Sequence, residues 1–272
     1  MPNVASAVLL AATFFIPTAP ASVSVAYAGS LVTVMERQVA GALLAREHIA
    51  FAGEAKGSKA LANLIGAGLR NPDVFISADP ALLDKLRTGS PRRLSRYVVF
   101  GSARMLLGFS PRSPHAATFE AAASGRASLM NLLRDPTLKI GRTDPQLDPK
   151  GARTLRVLRL LARHFHSPGA AAGFAAAESI YPEEDLLVRV ESGELDGAFF
   201  YSTETSGKGL RVLELPSDAN LSTQIAYGAA ILLDAPHPAA AQRFMTFILH
   251  GEGRSILKRA GLRYFSTPRV VR

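Results

Sequence analysis

The sequence predicts an α/β protein with two lobes and a cleft between them. Short apolar segments alternate with helical patterns along most of the chain, as in sheets covered by helices. Two longer apolar runs, Tyr97 to Phe109 and Ile225 to Leu233, suit paired crossovers between lobes. With 272 residues, 48% of them hydrophobic, the chain can fill more than one core. We therefore expect residues 22–103 plus 224–272 to form one lobe and residues 104–223 the other.

The first lobe is predicted from a regular alternation of strands and helices. Alternating apolar and polar residues mark a strand over Ser22 to Ala28, and Gly29-Ser30 then turns into a helical stretch. Further elements follow the same rhythm: a helix over 31–47, a strand over 49–52, a helix near 59–69, a strand over 73–76 and a helix over 81–86. An amphipathic C-terminal helix over 238–250 is expected to pack back onto this lobe.

The second lobe is predicted to hold a helix over 116–133, a loop with a following helix near residue 148, a helix over 182–192 and a strand over 197–201. The alanine-rich stretch 170–177 is expected to be a loop or a weak helix.

The N-terminus resembles a signal peptide. An apolar run from Val4 to Ile16 is followed by Ala19-Pro20-Ala21, which has the small-x-small pattern of a cleavage site. No Lys or Arg precedes the run, which is also too short to span a membrane. We predict residues 1–21 to be a signal peptide cleaved near Ala21, and the protein to be periplasmic. The alternative is a buried first strand of a cytoplasmic protein.

The composition narrows the class of partner. The formal net charge is +9, but Lys and Arg are scattered rather than clustered with aromatics, and Trp is absent. This pattern argues against nucleic acid and favours a basic surface that attracts small anions. With no Cys, the chain has neither a disulfide nor a cysteine for acylation.

Strand-to-helix junctions are candidate anion sites, and four of them together predict a cleft that holds a small anion. The stretch GRTDPQLDPKGAR, from Gly141 to Arg153, places Asp148 at a helix start, where unpaired N–H groups and the helix dipole attract anions. Ser30 and Ser58 lie at similar junctions and can donate hydroxyl groups. The structural alternative for each serine is an ordinary N-cap.

Two carboxylates beside such junctions require a separate explanation, because they should repel a bound anion. Asp148 precedes Pro149, and Glu183 follows Pro182 at a predicted helix start, so both can be cap or dipole residues. Alternatively, they bond a high-valent metal centre directly or bind in protonated form. Tyr201 is either a core aromatic or a phenol donor to an oxo group.

Enzyme motifs are not found. GEAKGSK lacks the order of a phosphate-binding loop, no GxSxG is present, and His164 and His166 have no ligand partner at matching spacing.

Several segments together resemble the molybdate/tungstate-binding proteins of ABC importers, in the branch first known from archaea. They are YAGSL, the later GS, DVFISAD, KIGRTDPQLDPKGART, PEEDLLVRVESGELDGAFFY and IAYGAAI, and they extend from about Val25 to Pro268. The resemblance implies a type II periplasmic-binding-protein fold, each lobe a mixed sheet flanked by helices, in which hinge closure traps an oxyanion.

The resemblance also implies a role for each candidate residue. Ser30 and Ser58 match hydroxyl donors, Lys150 matches a position that offers chiefly its backbone N–H, and Tyr201 matches a ligand tyrosine. Asp148 and Glu183 match two carboxylates that complete an octahedral Mo or W centre, with Asp144 as an alternative to Asp148. Lys150 is larger than the residue expected there, the segment between Ala170 and Tyr181 is short, and STETSGKG after Tyr201 departs from the pattern.

The expected function is that of a monomeric solute-binding protein that delivers molybdate or tungstate to an ABC permease, without catalysis or cofactor. Molybdate and tungstate are both expected ligands, because their sizes nearly coincide. A binder of sulfate or another tetrahedral anion is the nearest alternative. A periplasmic hydrolase with Ser30 or Ser58 as nucleophile would need a His base that the sequence does not place beside either. A sensing domain of a regulator is disfavoured by the apparent signal peptide and the lack of an attached DNA-binding segment.

Overall fold

A computed structural model describes residues 20–167, 180–205 and 209–272, so the predicted signal run and the stretch 170–177 lie outside the described residues. The chain forms two sheets. The larger has the strand order β11-β4-β10-β3-β1-β2. Its strands are β1 (Ala21–Ala28), β2 (Ile49–Lys56), β3 (Val74–Ser77), β4 (Tyr97–Ser102), β10 (Ala226–Ile231) and β11 (Arg263–Val271). β1 pairs in parallel with β2 and β3, whereas β10 and β11 pair antiparallel, so the sheet is mixed.

The second sheet has the order β7-β6-β8-β5-β9. Its strands are β5 (Met105–Phe109), β6 (Ile140–Thr143), β7 (Ile180–Tyr181), β8 (Gly197–Tyr201) and β9 (Arg211–Glu214). β6 lies parallel to β7 and β8, and β5 runs antiparallel to β8 and β9. We call the body around the larger sheet lobe 1 and the body around this sheet lobe 2. The predicted two-lobed α/β fold with mixed sheets is confirmed.

Helices flank both sheets. After β1 the chain winds through a 3-10 turn (Gly29–Leu31), α1 (Val32–Val34), a π-helical turn (Met35–Val39) and α2 (Ala40–Glu47). Lobe 1 also contains α3 (Ser58–Gly66), α4 (Pro80–Thr88), α10 (Pro238–Leu249) and α11 (Glu252–Arg259). Lobe 2 contains α5 (Ala116–Ala123), α6 (Leu129–Arg134), α7 (Pro149–His164), α8 (Glu183–Ser192) and α9 (Ser202–Thr205).

The long apolar run at 97–109 connects the lobes, as predicted. It forms β4 in one sheet and, two residues later, β5 in the other. Both strands are almost wholly buried, which explains why the run reads as continuously apolar rather than alternating. The amphipathic helix α10 packs on β1 and β10 of lobe 1, which confirms that prediction.

The helix predicted over 116–133 is wrong as a single element. It divides into α5 and α6 around Gly125, whose φ of +74° lies in the left-handed region and ends the first helix. Ser128 then caps α6 by accepting from the Asn131 N–H.

Asp73 connects the two halves of lobe 1 that are distant in sequence. Its buried carboxylate accepts from the backbone N–H and hydroxyl of Ser24 on β1, and from the backbone N–H of His237 before α10. Among the described residues, no helix is both long enough and apolar enough to cross a membrane.

Candidate functional site

Each predicted serine lies at the C-terminal end of a lobe 1 strand, directly after a glycine. Ser30 follows Gly29 after β1, and Ser58 follows Gly57 after β2 and begins α3. Neither hydroxyl caps its helix. Ser58 Oγ instead accepts from the Ala78 N–H at 3.1 Å, which leaves the Ser58 hydrogen free to be donated elsewhere. The N-cap explanation therefore does not account for either serine.

Both predicted carboxylates lie at helix starts of lobe 2 and are buried. Asp148 is the N-cap of α7, where Oδ1 accepts from the Lys150 N–H at 2.5 Å. Glu183 is the first residue of α8 and is only 6% exposed. Asp148 thus has the predicted capping role and in addition lies in the contact between lobes.

The two glycines pack directly against these carboxylates across the lobe junction. A Cβ at Gly57 would lie 3.1 Å from Asp148 Oδ2, and a Cβ at Gly29 would overlap Glu183 Cγ. Each Gly-Ser pair of lobe 1 therefore faces one carboxylate of lobe 2. A backbone hydrogen bond from Ala60 of α3 to Leu147 O, 3.0 Å long, joins the lobes beside them.

The Lys150 side chain was not predicted to matter, yet its ammonium is completely buried in this site. Nζ lies 2.8 Å from Glu183 Oε2 and 2.7 Å from Glu204 Oε1. Glu204 Oε2 accepts from the Tyr201 backbone N–H at 2.6 Å. The Lys150 N–H donates to Asp148, and the contact between this N–H and a ligand stays a prediction.

Tyr201 ends β8 with a fully buried phenol. Arg153, one turn into α7, donates to the Tyr201 hydroxyl at 2.7 Å and to the Ala78 carbonyl of lobe 1 at 2.9 Å. Since the phenol oxygen accepts from a cation, its own hydrogen remains available to a ligand. Arg153 was not singled out from the sequence, although it lies within the quoted motif.

Tyr227 of β10 connects Ser30 to lobe 2. Its hydroxyl lies 2.8 Å from Ser30 Oγ and 3.1 Å from Thr203 Oγ1, and its ring packs edge-on to Tyr201 with centroids 6.4 Å apart. The predicted residues thus belong to one connected cluster, which also contains Tyr227, Thr203, Arg153 and Glu204.

A cavity of about 380 Å³ opens beside this cluster, lined by Gly57, Asp148 and Glu183 together with Asp144 and Thr143. Ser30, Ser58 and Tyr201 are buried and do not line this cavity. Asp144 is less buried than Asp148 and accepts from the Gln146 N–H, as a turn residue does. Within the described part of the chain, Thr143 Oγ1 is buried and has no hydrogen-bond partner.

Burial and charge control ionisation in the cluster. Burial raises the pKa of the Asp148 carboxyl well above its ordinary value, and the Glu183 charge raises it further. Burial also raises the pKa of Glu204, to about 7, against the opposing charge of Lys150. Burial would lower the pKa of Lys150, but the three carboxylates outweigh it and raise that pKa. Burial raises the pKa of Tyr201, so its phenol stays protonated.

These shifts predict a pH-dependent stability. A carboxyl whose pKa is raised on folding binds more protons in the folded state, so the free energy of unfolding falls as pH rises from about 4.5 through 7. The ligand-free protein should therefore lose several degrees of Tm between pH 5 and pH 8, at about 2–4 °C per kcal/mol. Glu204→Gln should flatten this slope in thermal melts. The exposed Glu252→Gln should not, and an unchanged slope in Glu204→Gln would contradict the assignment.

Among residues 20–167, 180–205 and 209–272, no group of three or more acidic or histidine side chains is arranged to hold a metal ion. Two imidazoles form hydrogen bonds away from this cluster: His164 contacts Asp218 and His237 contacts Asp73.

Residues 23–263 match the family model for bacterial extracellular solute-binding proteins. The chain belongs to this family. This solute-binding protein is 34% identical, over 169 residues, to a Haloferax volcanii protein that carries the provisional name of an ABC transporter molybdenum-binding protein. That alignment covers 62% of this chain and 52% of the relative, so it spans about half of the relative's length. The molybdate/tungstate-binding protein WtpA of Pyrococcus abyssi is 24% identical over an alignment of 271 positions, gaps included, that covers 82% of this chain and 77% of WtpA.

Solved structures support the fold of this solute-binding protein. The periplasmic molybdate-binding protein of Azotobacter vinelandii superposes with a TM-score of 0.69 at 18% identity, covering 90% of this chain and 99% of that one. The sulfate-binding protein SubI of Mycobacterium tuberculosis superposes with a TM-score of 0.64 at 14% identity, covering 90% and 88%.

Proposed function

We propose that this solute-binding protein captures molybdate or tungstate between its lobes and delivers it to the permease of an ABC importer. The observation that carries the proposal is the pairing across the lobe junction, where each Gly-Ser turn of lobe 1 faces one buried carboxylate of lobe 2. Hydroxyl donors and helix N-termini can hold a tetrahedral oxyanion, and closure of the lobes removes water from it. The names of the Haloferax and Pyrococcus relatives support this choice of ligand.

The proposed contacts divide between the lobes. Ser30 and Ser58 donate hydroxyl hydrogens from lobe 1, and Tyr201 donates its phenol from lobe 2. Asp148 and Glu183 face the central atom of the oxyanion, which as Mo or W can accept carboxylate oxygens into an expanded shell. Octahedral coordination by this pair remains a prediction.

The chain is exported, its signal peptide is cleaved near Ala21, and it acts in the periplasm as a monomer without catalysis. Hinge closure involves a first lobe of residues 22–103 plus 224–272 and a second of residues 104–223. The paired strands β4 and β5 lie at one crossover between them.

A sulfate binder is the second candidate, because the fold is shared with the sulfate-binding protein SubI. The carboxylates disfavour it, since sulfate cannot accept them into a larger coordination shell and would be repelled by them. A hydrolase is disfavoured because Ser30 hydrogen-bonds to the Tyr227 phenol and Ser58 accepts from the Ala78 backbone N–H, whereas a nucleophilic serine needs a base such as an imidazole.

The deciding experiment is calorimetric titration of the purified, ligand-stripped mature chain with molybdate, tungstate, sulfate and phosphate. We expect one-to-one binding of the first two and no heat from the others. Absence of binding heat with both molybdate and tungstate would overturn the proposed function. Turnover of an ester or phosphoester substrate would favour the hydrolase.

The carboxylates provide a direct test of the coordination. Asp148→Ala or Glu183→Ala should weaken tungstate binding more than tenfold, which corresponds to about 1.4 kcal/mol. The same titration measures it, with the exposed Asp218→Ala as the matched carboxylate control away from the site. A folded double variant with unchanged affinity would exclude direct ligation of the metal by this pair.

A further inference from the structure

Lys150 is the second residue of α7 and connects three elements of lobe 2 through its buried ammonium. Nζ lies 2.8 Å from Glu183 on α8 and 2.7 Å from Glu204 on α9. It also lies over the Phe200 ring, 5.3 Å from the centroid. A buried ammonium is costly unless counter-charges surround it, so the two carboxylates and the lysine form one electrostatic unit.

The formal charges around the cleft nearly balance. Lobe 2 presents the carboxylates of Asp148, Glu183 and Glu204 and the cations of Lys150 and Arg153, which leaves a formal charge of −1. Without Lys150 the same site would carry −2. The ammonium is completely buried between two of these carboxylates, 2.8 Å and 2.7 Å from their oxygens, and the pairing keeps it charged.

We propose that Lys150 selects the charge of the ligand: its ammonium allows a doubly charged oxyanion to lie beside Asp148 and Glu183 and favours it over a singly charged one of the same shape. This inference rests on the oxyanion function proposed above. Coulomb energy scales with the product of the charges. Loss of one positive charge therefore reduces the binding free energy of a dianion about twice as much as that of a monoanion at the same position. Burial strengthens the effect because the local dielectric is low.

Perrhenate makes this difference measurable, because it is a tetrahedral oxyanion of nearly the same size as tungstate with half its charge. Lys150→Met removes the ammonium and keeps an apolar chain of similar length against Phe200. We expect Lys150→Met to lower the ratio of tungstate to perrhenate affinity at least about tenfold. Titrations at pH 8 keep Glu204 ionised, since its pKa is about 7.

Two further variants separate charge from structure. Glu204→Gln removes one negative charge while its amide oxygen can still accept the Tyr201 N–H, so the ratio should rise. The double variant Lys150→Met with Glu204→Gln returns the formal charge to −1, and its ratio should lie within about threefold of wild type. The exposed Lys139→Met is the matched control. Thermal melts without ligand verify folding.

A merely structural role predicts a different pattern. The affinities for tungstate and perrhenate would then fall by the same factor in every variant. An unchanged ratio of the two affinities in all variants would overturn the proposal for Lys150 and leave the oxyanion function intact. Wild type that binds perrhenate as tightly as tungstate would also overturn it. If Lys150→Met does not fold, Glu204→Gln alone decides, because it keeps the Lys150–Glu183 pair. Both proposals fail together only if wild type binds neither dianion.

Discussion

Gly57→Ala is expected to reduce oxyanion affinity at least about 100-fold, a change of roughly 2.7 kcal/mol. A Cβ at this position would lie 2.6 Å from the Leu147 carbonyl oxygen, which is backbone of the opposite lobe and cannot rotate away. Gly57 has φ −53° and ψ 128°, which alanine adopts freely, so lobe 1 itself is not strained. The substitution therefore acts on closure.

Titration with tungstate measures the loss, and small-angle scattering in saturating ligand should show a more extended particle than wild type. The Tm of the ligand-free protein should change little. Gly41→Ala is the control, because a Cβ there meets nothing within 4 Å on the exposed side of α2. If Gly57→Ala binds and compacts like wild type, closure does not require contact between α3 and the Leu147 turn.

Arg153→Met is expected to weaken binding by about 100-fold, mainly through faster release. The guanidinium supplies the Ala78 carbonyl of lobe 1 and the Tyr201 hydroxyl with hydrogen bonds of 2.9 and 2.7 Å, and it lies 3.6 Å from Asp79. Hydrogen bonds to charged groups contribute about 1.5–3 kcal/mol each, and the bond to Ala78 exists only when the lobes meet.

Stopped-flow displacement of bound tungstate reports the release rate directly. Arg153→Lys should recover part of the loss, because a lysine retains the charge but lacks the planar guanidinium, whose second nitrogen lies near Asp79. Arg156→Met, on the exposed face of the same helix, should release at the wild-type rate. Equal release rates for Arg153→Met and wild type would show that this arginine does not hold the lobes together.

Local patterns predicted those elements that have regular burial. The strand at 197–201 and the split of the 97–109 run between two sheets follow from continuous apolar stretches. β11 was not predicted because it is an edge strand. It is largely exposed and contains Pro268, and its pairing with β4 shifts register between Tyr264 and Arg269. Such a strand shows neither alternation nor an apolar run.

The sequence identifies candidate site residues where residue type and position along the chain are sufficient to single them out. It does not identify residues whose partners come from elements distant in sequence. Ser30, Ser58, Asp148 and Glu183 lie at strand ends or helix starts, which the sequence makes visible. The burial of Lys150 depends on Glu204, 54 residues away, and no local pattern links the two. Arg153 has the spacing of an ordinary helix-surface residue, and its role follows only from the approach of lobe 1.

The strand order of lobe 1 also determines when that lobe can fold. β4 pairs with β10 and β11, so two of the six strands come from the last part of the chain. The sheet of lobe 2 is drawn entirely from residues 105–214 and can pair before the C-terminus is available. Contacts so distant in sequence form late and slowly, because a long loop must close before they contribute. A chain under synthesis therefore passes through a stage in which lobe 2 can be complete while β3 and β4 still lack the strand that lies between them.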